Sequence, residues 1–363
     1  MMLLNKCEVN VECLYVEMCK RKNLLYITEC WSHKYRNISE VNRFLSQDIS
    51  YEDIYKALPN KTVIIDFMYY YGGLSTDSAE SENLENAYCV AFILHPDGKI
   101  MFRFVGQQFD LTNQPDYAKI SKVLFQDLQK IDNIVVCAEG HFNSIAITSM
   151  PYKKGFITDY FNVRNIGSVY DLIYPMQKRR TLSNALIVSN PDYGTHTNEK
   201  YNNLTFSEWE GESVKNTLEN VAHINVVHLS GADATLESVK EALRHDMYSI
   251  IHYSTHGEMN RNAVGLVVSE VNEKNSTAML WDSDAHKWQK GRASLAVYSL
   301  CFGAKQTNKL NDSLSGFIKF SLLSGADTVI APLGRVVNKH LTKQQCIESA
   351  QQQGMTSCFL HNE

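Results

Sequence analysis

The stretch IIHYSTHGEMN, Ile250–Asn260, begins as an apolar run and stops at a histidine that is followed by glycine. Continuous apolar runs of this kind are typical of strands that are buried on both faces of a parallel sheet. In such sheets, functional groups gather at the carboxyl ends of the strands. His256 is therefore a candidate catalytic base, and the alternative is a structural histidine at a strand end beside a turn glycine.

A second apolar run, SLAVYSLCFG, Ser294–Gly303, ends on Cys301. The chain between His256 and Cys301 is long enough for a hairpin and a connection between two adjacent parallel strands. A thiol and an imidazole at neighbouring strand ends have the geometry that a cysteine–histidine dyad needs. We also expect Gly257 and Gly303 to leave room for a substrate backbone. Each residue taken alone has a structural alternative, because buried cysteines and histidines are common in protein cores.

The sequence around these two runs alternates between strand and helix patterns. From about residue 176 the patterns predict strands in NALIVSNPDYG, HINVVHLSG, YSIIHYST, SLAVYSLC and DTVIAPL. Between them lie helical patterns, FSEWEGESVKNTLENV, TLESVKEALRH with an N-cap at Thr235, and a third helix through Leu314, Ile318 and Leu322. Apolar strands that are separated by amphipathic helices predict a mostly parallel sheet covered on both sides.

The sequence of the first half of the chain predicts a different order of helices and strands. Residues 1–60 have helical patterns, with Ser50 as an N-cap, and residues 61–175 contain strands in TVIIDFMYYYG, YCVAFILHPDGKIMFRFVG and NIVVCAEG. Pro96–Gly98 predicts a hairpin turn. A helix in PDYAKISKVLFQDLQKI would place four apolar residues on one face, Ile120, Leu124, Leu128 and Ile131. We therefore divide the chain into a helical segment (1–60), an N-terminal α/β half (61–175), a catalytic half (176–345) and a C-terminal tail (346–363).

Composition excludes several classes of function. The chain has 363 residues, and its 44% apolar content is ordinary for a globular protein. Its formal net charge of -5 argues against direct nucleic-acid binding. No apolar run reaches the ~18 to 20 residues that a membrane span needs. The nine cysteines are scattered without CxxC pairs, which indicates free thiols, a reducing compartment and a cytoplasmic location. No glycine-rich phosphate loop follows any strand, which argues against a nucleotide-binding protein.

The pair HYSTHG and YSLCFGA resembles the CHAT domain, the caspase-like protease domain that is commonly found after tetratricopeptide repeats. Other stretches resemble it in the same order, over roughly Lys61 to Asn338: VIIDFMYYYG, HFNSIAITSMP, LIVSNPDYG, LSGADATLESVKEAL and SLSGFIKFSLLSGADTVIAPLGRVVN. The resemblance implies an α/β fold, with a caspase-like, mostly parallel sheet flanked by helices. A smaller α/β half and short N-terminal helices would precede it, and those helices resemble the end of a repeat array.

The resemblance also implies a cysteine endopeptidase that cleaves a protein substrate. Cys301 would be the nucleophile, His256 the base, and the backbone N–H groups of Gly257 and Cys301 the oxyanion hole. It implies neither a metal nor an organic cofactor. A regulatory protein could bind the N-terminal helices, and neither nucleic acid nor a membrane is expected as a partner.

Two questions stay open at the level of sequence. Asp192, in SNPDYG, could line the pocket for a basic side chain before the cut, or it could simply form an Asx turn. The whole chain could be an active protease, or an interaction or scaffold module that keeps the CHAT fold without turnover. His252, on the strand of His256, is interpreted as a structural residue.

Overall fold

A computed structural model describes the chain over residues 15, 50–71, 87–107, 110–111, 115–173, 182–194, 200–245, 248–260, 263–270, 277–282, 293–301, 303, 317–318, 321, 326 and 328–333. The chain divides into two compact units, with the break between Met176 and Gln177. Most of the expected N-terminal helical segment, the third predicted helix beyond residues 317–318 and 321, and the C-terminal tail lie outside the described residues.

The first unit is built on a five-stranded sheet in the order β3-β2-β1-β4-β7. Its strands are β1 (Thr62–Tyr71), β2 (Ala87–Leu94), β3 (Ile100–Gln107), β4 (Asn133–Cys137) and β7 (Asn162–Ile166). Strands β1, β2 and β3 are antiparallel neighbours, while β1 pairs with β4, and β4 with β7, in parallel. The centre of this sheet is apolar on both faces, because residues along β1 and β2 belong alternately to two separate buried clusters.

The turn and the helix N-cap that the sequence predicts in this unit are present, and one helix is shorter than predicted. Gly98 adopts a φ of 81° in the turn between β2 and β3, which confirms the predicted hairpin. Ser50 caps helix α1 (Tyr51–Lys56) through a capping box with Asp53, which confirms the predicted N-cap. The amphipathic helix α2 (Tyr117–Phe125) ends earlier than its apolar pattern predicts, and Leu128 and Ile131 are buried from the turn that follows it.

Smaller elements complete the described part of the first unit. The two-residue strands β5 (Pro151–Tyr152) and β6 (Gly155–Phe156) form a hairpin, and helix α3 (Tyr170–Ile173) follows β7. Short 3₁₀ turns at Gly140–Ser144, Ile147–Ser149 and Ile157–Asp159 connect them.

The second unit is built on a five-stranded sheet in which every described pairing is parallel, in the order β15-β14-β10-β8-β9. Its strands are β8 (Asn184–Pro191), β9 (Asn225–Gly231), β10 (Ile250–Ser254), β14 (Leu295–Ser299) and β15 (Thr328–Ile330). Strand β10 is central and all five of its residues are buried. This sheet confirms the mostly parallel sheet that the alternation of strands and helices predicted.

Helices cover both faces of this second sheet. Helix α4 (Thr205–Asn220) packs on β8, β9 and β10. Helix α5 (Leu236–His245) lies on the opposite face, where Val239 and Leu243 join the main buried cluster. The Thr235 hydroxyl accepts from the Ser238 N–H at 3.0 Å, which confirms the predicted cap.

A three-stranded antiparallel sheet occupies the connection between β10 and β14. It consists of β11 (Gly257–Met259), β12 (Val264–Ser269) and β13 (Thr277–Trp281), in that order. Strand β12 is fully buried and supplies Leu266 and Val268 to the same cluster as α5. The chain therefore leaves β10, forms this small sheet, and returns to the main sheet at β14.

Candidate active site

The two strands that precede the candidate dyad are direct neighbours. Strands β10 and β14 pair in parallel, and their last paired residues are Ser254 and Ser299. His256 and Cys301 each follow two residues beyond that pair, so both lie past the same edge of the sheet. The strands themselves end earlier than the sequence predicts, at the serines rather than at the functional residues.

The segments of His256 and Cys301 touch through their backbones. A Cβ atom on Gly257 would lie 2.1 Å from the Cys301 carbonyl oxygen and 2.7 Å from the Leu300 Cδ1 atom. Such separations are far inside van der Waals contact, so only glycine allows this approach. The space in the direction of the missing side chain is filled by the cysteine segment. That Gly257 also lets a substrate backbone approach stays a prediction.

The imidazole of His256 has a defined tautomer. Its Nε2 atom lies 2.7 Å from the backbone carbonyl oxygen of Asn202. A carbonyl only accepts hydrogen bonds, so Nε2 carries the hydrogen and the neutral ring has its lone pair on Nδ1. Burial lowers the pKa of His256, and the hydrogen bond to Asn202 opposes this in part. The ring is therefore mainly neutral near pH 7 and able to accept a proton at Nδ1.

Two tyrosine rings hold the imidazole in place. The Tyr193 ring meets the His256 ring edge-on at 4.8 Å between centroids, and the Tyr201 ring lies at 5.4 Å. The Tyr193 hydroxyl is 2.8 Å from the Thr255 hydroxyl, and burial raises the pKa of Tyr193 far above its ordinary value. Tyr193 thus stays a neutral phenol whose ring and hydroxyl both support the end of β10.

Glu258 anchors the segment that supplies the Asn202 carbonyl. The Tyr201 hydroxyl donates to Glu258 Oε2, and the Lys200 ammonium contacts Glu258 Oε1. The hydrogen bonds from Lys200 and Tyr201 lower the pKa of Glu258, which keeps it ionised. Because Glu258 directly follows Gly257, these contacts tie residues 200–202 to the backbone beside His256.

Cys301 is a partly exposed thiol that is not in a disulfide bond. Nearby, a Cβ atom on Gly303 would lie 3.2 Å from Tyr298 Cβ and 3.3 Å from Pro332 Cδ. Gly303 therefore serves close packing of the chain after Cys301, and the expectation that it leaves room for a substrate backbone stays a prediction.

Asp192 forms an Asx turn, which is one of the two roles that the sequence left open for it. Its Oδ1 atom accepts from the Gly194 N–H at 2.9 Å, and its backbone N–H donates to the Gly231 carbonyl oxygen at 2.9 Å. The residue is exposed at the carboxyl end of β8, on the same edge of the sheet as His256 and Cys301.

His252 has a structural environment, as the sequence interpretation held. Its Nε2 atom lies 3.1 Å from Glu210 Oε1, although the angle is poor for a hydrogen bond. Burial raises the pKa of Glu210, but the nearby His252 and the hydroxyls of Ser254 and Ser299 lower it below its ordinary value. Sequence reasoning missed Glu210, because an acid in the helical stretch EWEGES gives no sign that it is partly buried.

Sequence reasoning also missed Asn202, Tyr201 and Glu258. Asn202 acts through its backbone carbonyl, which no side-chain pattern identifies. Within the described ranges, no group of three or more His, Cys, Asp and Glu side chains could hold a metal ion. Likewise, none of the described helices is long and apolar enough to cross a bilayer.

Comparison with known proteins identifies the family. The family model of the CHAT domain matches residues 114–344, well over half of the chain. The match includes the strands that precede His256 and Cys301, and it begins after β1, β2 and β3, which the sequence resemblance had included. Strand β1 nevertheless pairs with β4, inside the match. A search of curated proteins found no significant match. The mixed α/β architecture agrees with the caspase-like fold of that family, and the chain belongs to the CHAT domain family.

Proposed function

We propose that the chain is a cysteine endopeptidase of the caspase-like class, with Cys301 as nucleophile and His256 as general base. The observation that carries the proposal is the backbone contact between Gly257 and Cys301, because it brings the histidine and cysteine segments together at one edge of the sheet. The hydrogen bond from His256 Nε2 to Asn202 supports it further, since it leaves Nδ1 as the atom that can accept a thiol proton.

The chemistry follows from these assignments. His256 Nδ1 takes the proton from the Cys301 thiol, and the thiolate attacks the scissile carbonyl carbon to form a tetrahedral oxyanion. When the intermediate collapses, the C–N bond breaks, His256 gives its proton to the leaving amine, and an acyl-enzyme remains. His256 then takes a proton from water, which attacks the thioester and releases the carboxylic acid and the thiol.

The oxyanion would be stabilised by the backbone N–H groups of Gly257 and Cys301. One N–H group lies on each of the two segments that meet at the site. The negative charge that develops on the substrate carbonyl oxygen would lie between them. Donors fixed before the reaction are effective because they need not reorganise, and the loss of one typically costs about 10²- to 10³-fold in rate.

The proposal extends to substrate preference through Asp192. Its carboxylate is exposed at the carboxyl end of β8, and it would favour a Lys or Arg side chain before the cut by charge. The Asx turn fixes Asp192 Oδ1 on the Gly194 N–H, which orients the carboxylate for such a role. A protein substrate, a protein partner at the N-terminal helices, an association with tetratricopeptide repeats and a cytoplasmic location complete the proposal.

A peptide library made from a digested proteome tests the activity without knowledge of the substrate. The library is incubated with the wild-type chain, with Cys301→Ala and with His256→Ala, and new N termini are read by mass spectrometry. We expect new termini with the wild type only. If both variants produce the same termini, the dyad is wrong. If none of the three chains produces any, the scaffold alternative takes the place of the protease.

The same library tests Asp192. With wild type we expect Lys and Arg to be enriched before the cut, and with Asp192→Asn we expect the ratio of basic to apolar residues there to fall by about 10-fold, as removal of a charged partner would predict. Glu270→Gln is a suitable control, because it removes a carboxylate from the end of β12. An unchanged ratio in Asp192→Asn would contradict a role of Asp192 in substrate preference and leave only its structural role in the Asx turn.

A further inference from the structure

Three serines form a row across the sheet just before the candidate dyad. Ser189 on β8, Ser254 on β10 and Ser299 on β14 are direct partners in the parallel register. All three side chains point to the face that helix α4 covers, since each contacts a residue or position of that helix. The row marks the last register position that β10 and β14 share before their chains separate towards His256 and Cys301.

One carboxylate oxygen bridges two members of this row. Glu210 Oε2 accepts from the Ser254 hydroxyl at 2.7 Å and from the Ser299 hydroxyl at 2.9 Å. Its other oxygen, Oε1, lies 3.1 Å from His252 Nε2 on β10. The Glu210 side chain is only 25% exposed, so water competes little for these contacts. Hydrogen bonds to an ionised acceptor are shorter and stronger than neutral ones.

The Glu210 bridge joins β10 and β14 at their last paired residues, close to His256 and Cys301. The paired register of β10 and β14 stops at Ser254 and Ser299, and only two residues separate each serine from the functional side chain. Beyond the pair, the chain from β10 enters β11 at Gly257, while the chain from β14 turns after Leu300. A change in the separation of the two serines would therefore shift the chain segments that carry the imidazole and the thiol, two residues further on.

We propose that Glu210 is a positioning residue, which sets the separation of His256 and Cys301 by holding Ser254 and Ser299 on one carboxylate oxygen. This inference rests on the proposed protease function. It assigns Glu210 no contact with substrate, and its effect on the reaction passes through the ends of β10 and β14.

The neighbouring cluster on the same helix provides a matched control. The Ser189 hydroxyl is 2.8 Å from His228 Nε2, and His228 Nδ1 is 3.2 Å from Glu212 Oε1. This serine, histidine and glutamate resemble a hydrolytic triad, but Ser189 is fully buried and a Cβ atom on Gly211 would lie 2.3 Å from its hydroxyl. The cluster thus ties α4 to β8 and β9, whereas Glu210 ties α4 to β10 and β14.

The test measures how fast Cys301 reacts with iodoacetamide at about pH 6, where the thiol of free cysteine is almost fully protonated. Trypsin releases Cys301 in a peptide that contains no other cysteine, ASLAVYSLCFGAK, residues 293–305. The rate is followed by mass spectrometry for the wild type, His256→Ala, Glu210→Ala, Glu210→Gln, Ser254→Ala, Ser299→Ala and Ser189→Ala.

We expect Glu210→Ala and Ser299→Ala each to lower the rate by about 10- to 100-fold, the range for a displacement of about 1 Å at a reacting group. Ser254→Ala should fall in the same range. Glu210→Gln keeps an oxygen that can accept from both serines, and should stay within about threefold of wild type. Ser189→Ala should stay within about twofold. In a Glu210→Ala background, Ser299→Ala should cause no further loss, because both changes remove the same interaction.

The outcomes separate the inference from the function on which it rests. If Cys301 reacts equally fast in the wild type and in His256→Ala, the dyad fails and the positioning role fails with it. If His256→Ala is slow but Glu210→Ala reacts at the wild-type rate, only the positioning role fails. It also fails if Glu210→Gln is as slow as Glu210→Ala, or if Ser189→Ala is as slow as Ser299→Ala. Should Glu210→Ala not fold, as judged by circular dichroism, the serine variants decide, since each removes a single oxygen.

Discussion

The two five-stranded sheets each carry a cysteine at the carboxyl end of a parallel strand, and the two thiols have opposite surroundings. Cys137 is the last residue of β4, is fully buried, and its Sγ atom contacts the Gly167 carbonyl oxygen at 3.6 Å. Cys301 lies two residues beyond β14 and is partly exposed. In sequence the two runs, NIVVC and LAVYSLC, are much alike.

The difference lies in the neighbouring strand. Cys137 stands in register with Asp66 of β1, a buried carboxylate 3.3 Å from the Tyr15 hydroxyl. Cys301 follows a strand whose neighbour leads to His256, a ring with its proton on Nε2 and a lone pair on Nδ1. A thiol at a strand end thus becomes a candidate nucleophile only where the adjacent strand supplies a base at the equivalent place.

The largest effect should come from filling the gap between the two segments. Gly257→Ala would place a methyl group 2.1 Å from the backbone carbonyl oxygen of Cys301, and backbone cannot move aside as a side chain can. We expect the segments to separate and the iodoacetamide rate of Cys301 to fall by at least about 100-fold. The buried Cys137 should stay unreactive, as in the wild type.

Gly265→Ala is the matched control for this change. Gly265 lies on β12 of the adjoining small sheet, where a Cβ atom would come within 2.4 Å of the Met279 methyl group. A flexible methionine can yield at modest cost. In Gly265→Ala, the iodoacetamide rate of Cys301 should remain within about threefold of wild type. Equal losses of rate in the two glycine variants would mean that general crowding of the small sheet, rather than the Gly257 contact, limits the reactivity of Cys301.

A smaller effect should follow from loosening the support of the base. Tyr201→Phe keeps the ring beside His256 but removes the hydroxyl that donates to Glu258. We expect the Asn202 carbonyl to hold Nε2 less firmly, and the Cys301 rate to fall by about 3- to 10-fold, in line with the net contribution of about 0.5 to 1.5 kcal/mol from a typical hydrogen bond. Glu258→Ala should fall in the same range, and a wild-type rate in both variants would show that residues 200–202 stay in place without Glu258.

The smallest effects should distinguish the two cysteines themselves. Cys137→Ala removes a buried sulfur from the first core and should lower the free energy of unfolding by about 1 kcal/mol, without changing the rate at Cys301. Cys301→Ala should change that free energy by less than about 0.5 kcal/mol, since the site is partly exposed. Urea unfolding followed by circular dichroism measures both, and a larger loss of stability in Cys301→Ala would give that cysteine a structural role.

The sequence predicted the parts of this arrangement that depend on periodicity. The buried strands β10 and β14, the Pro96–Gly98 turn and the caps at Ser50 and Thr235 all follow from local patterns, and the structure has each of them. Local patterns fix these features because the residues that decide them are near neighbours in the chain.

The supports of the site could not be predicted in the same way. Glu210 and Glu258 meet partners that are distant in sequence, and an acid in a helix or strand gives no sign in the sequence of the tertiary contacts that partly cover it. The helix after Asp116 ends at Phe125 although its apolar spacing continues to Ile131, because a buried turn presents apolar residues as well as a helix does.

The most direct test of the dyad compares Cys301 and Cys137 in one sample. Trypsin releases Cys137 in residues 131–153, again as a single-cysteine peptide, so one digest reports both thiols after treatment with iodoacetamide at about pH 6. We predict that Cys301 reacts at least about 10-fold faster than free cysteine, that His256→Ala returns it to the rate of free cysteine, and that Cys137 is unmodified throughout. A Cys301 rate that is equal with and without His256 would contradict the account.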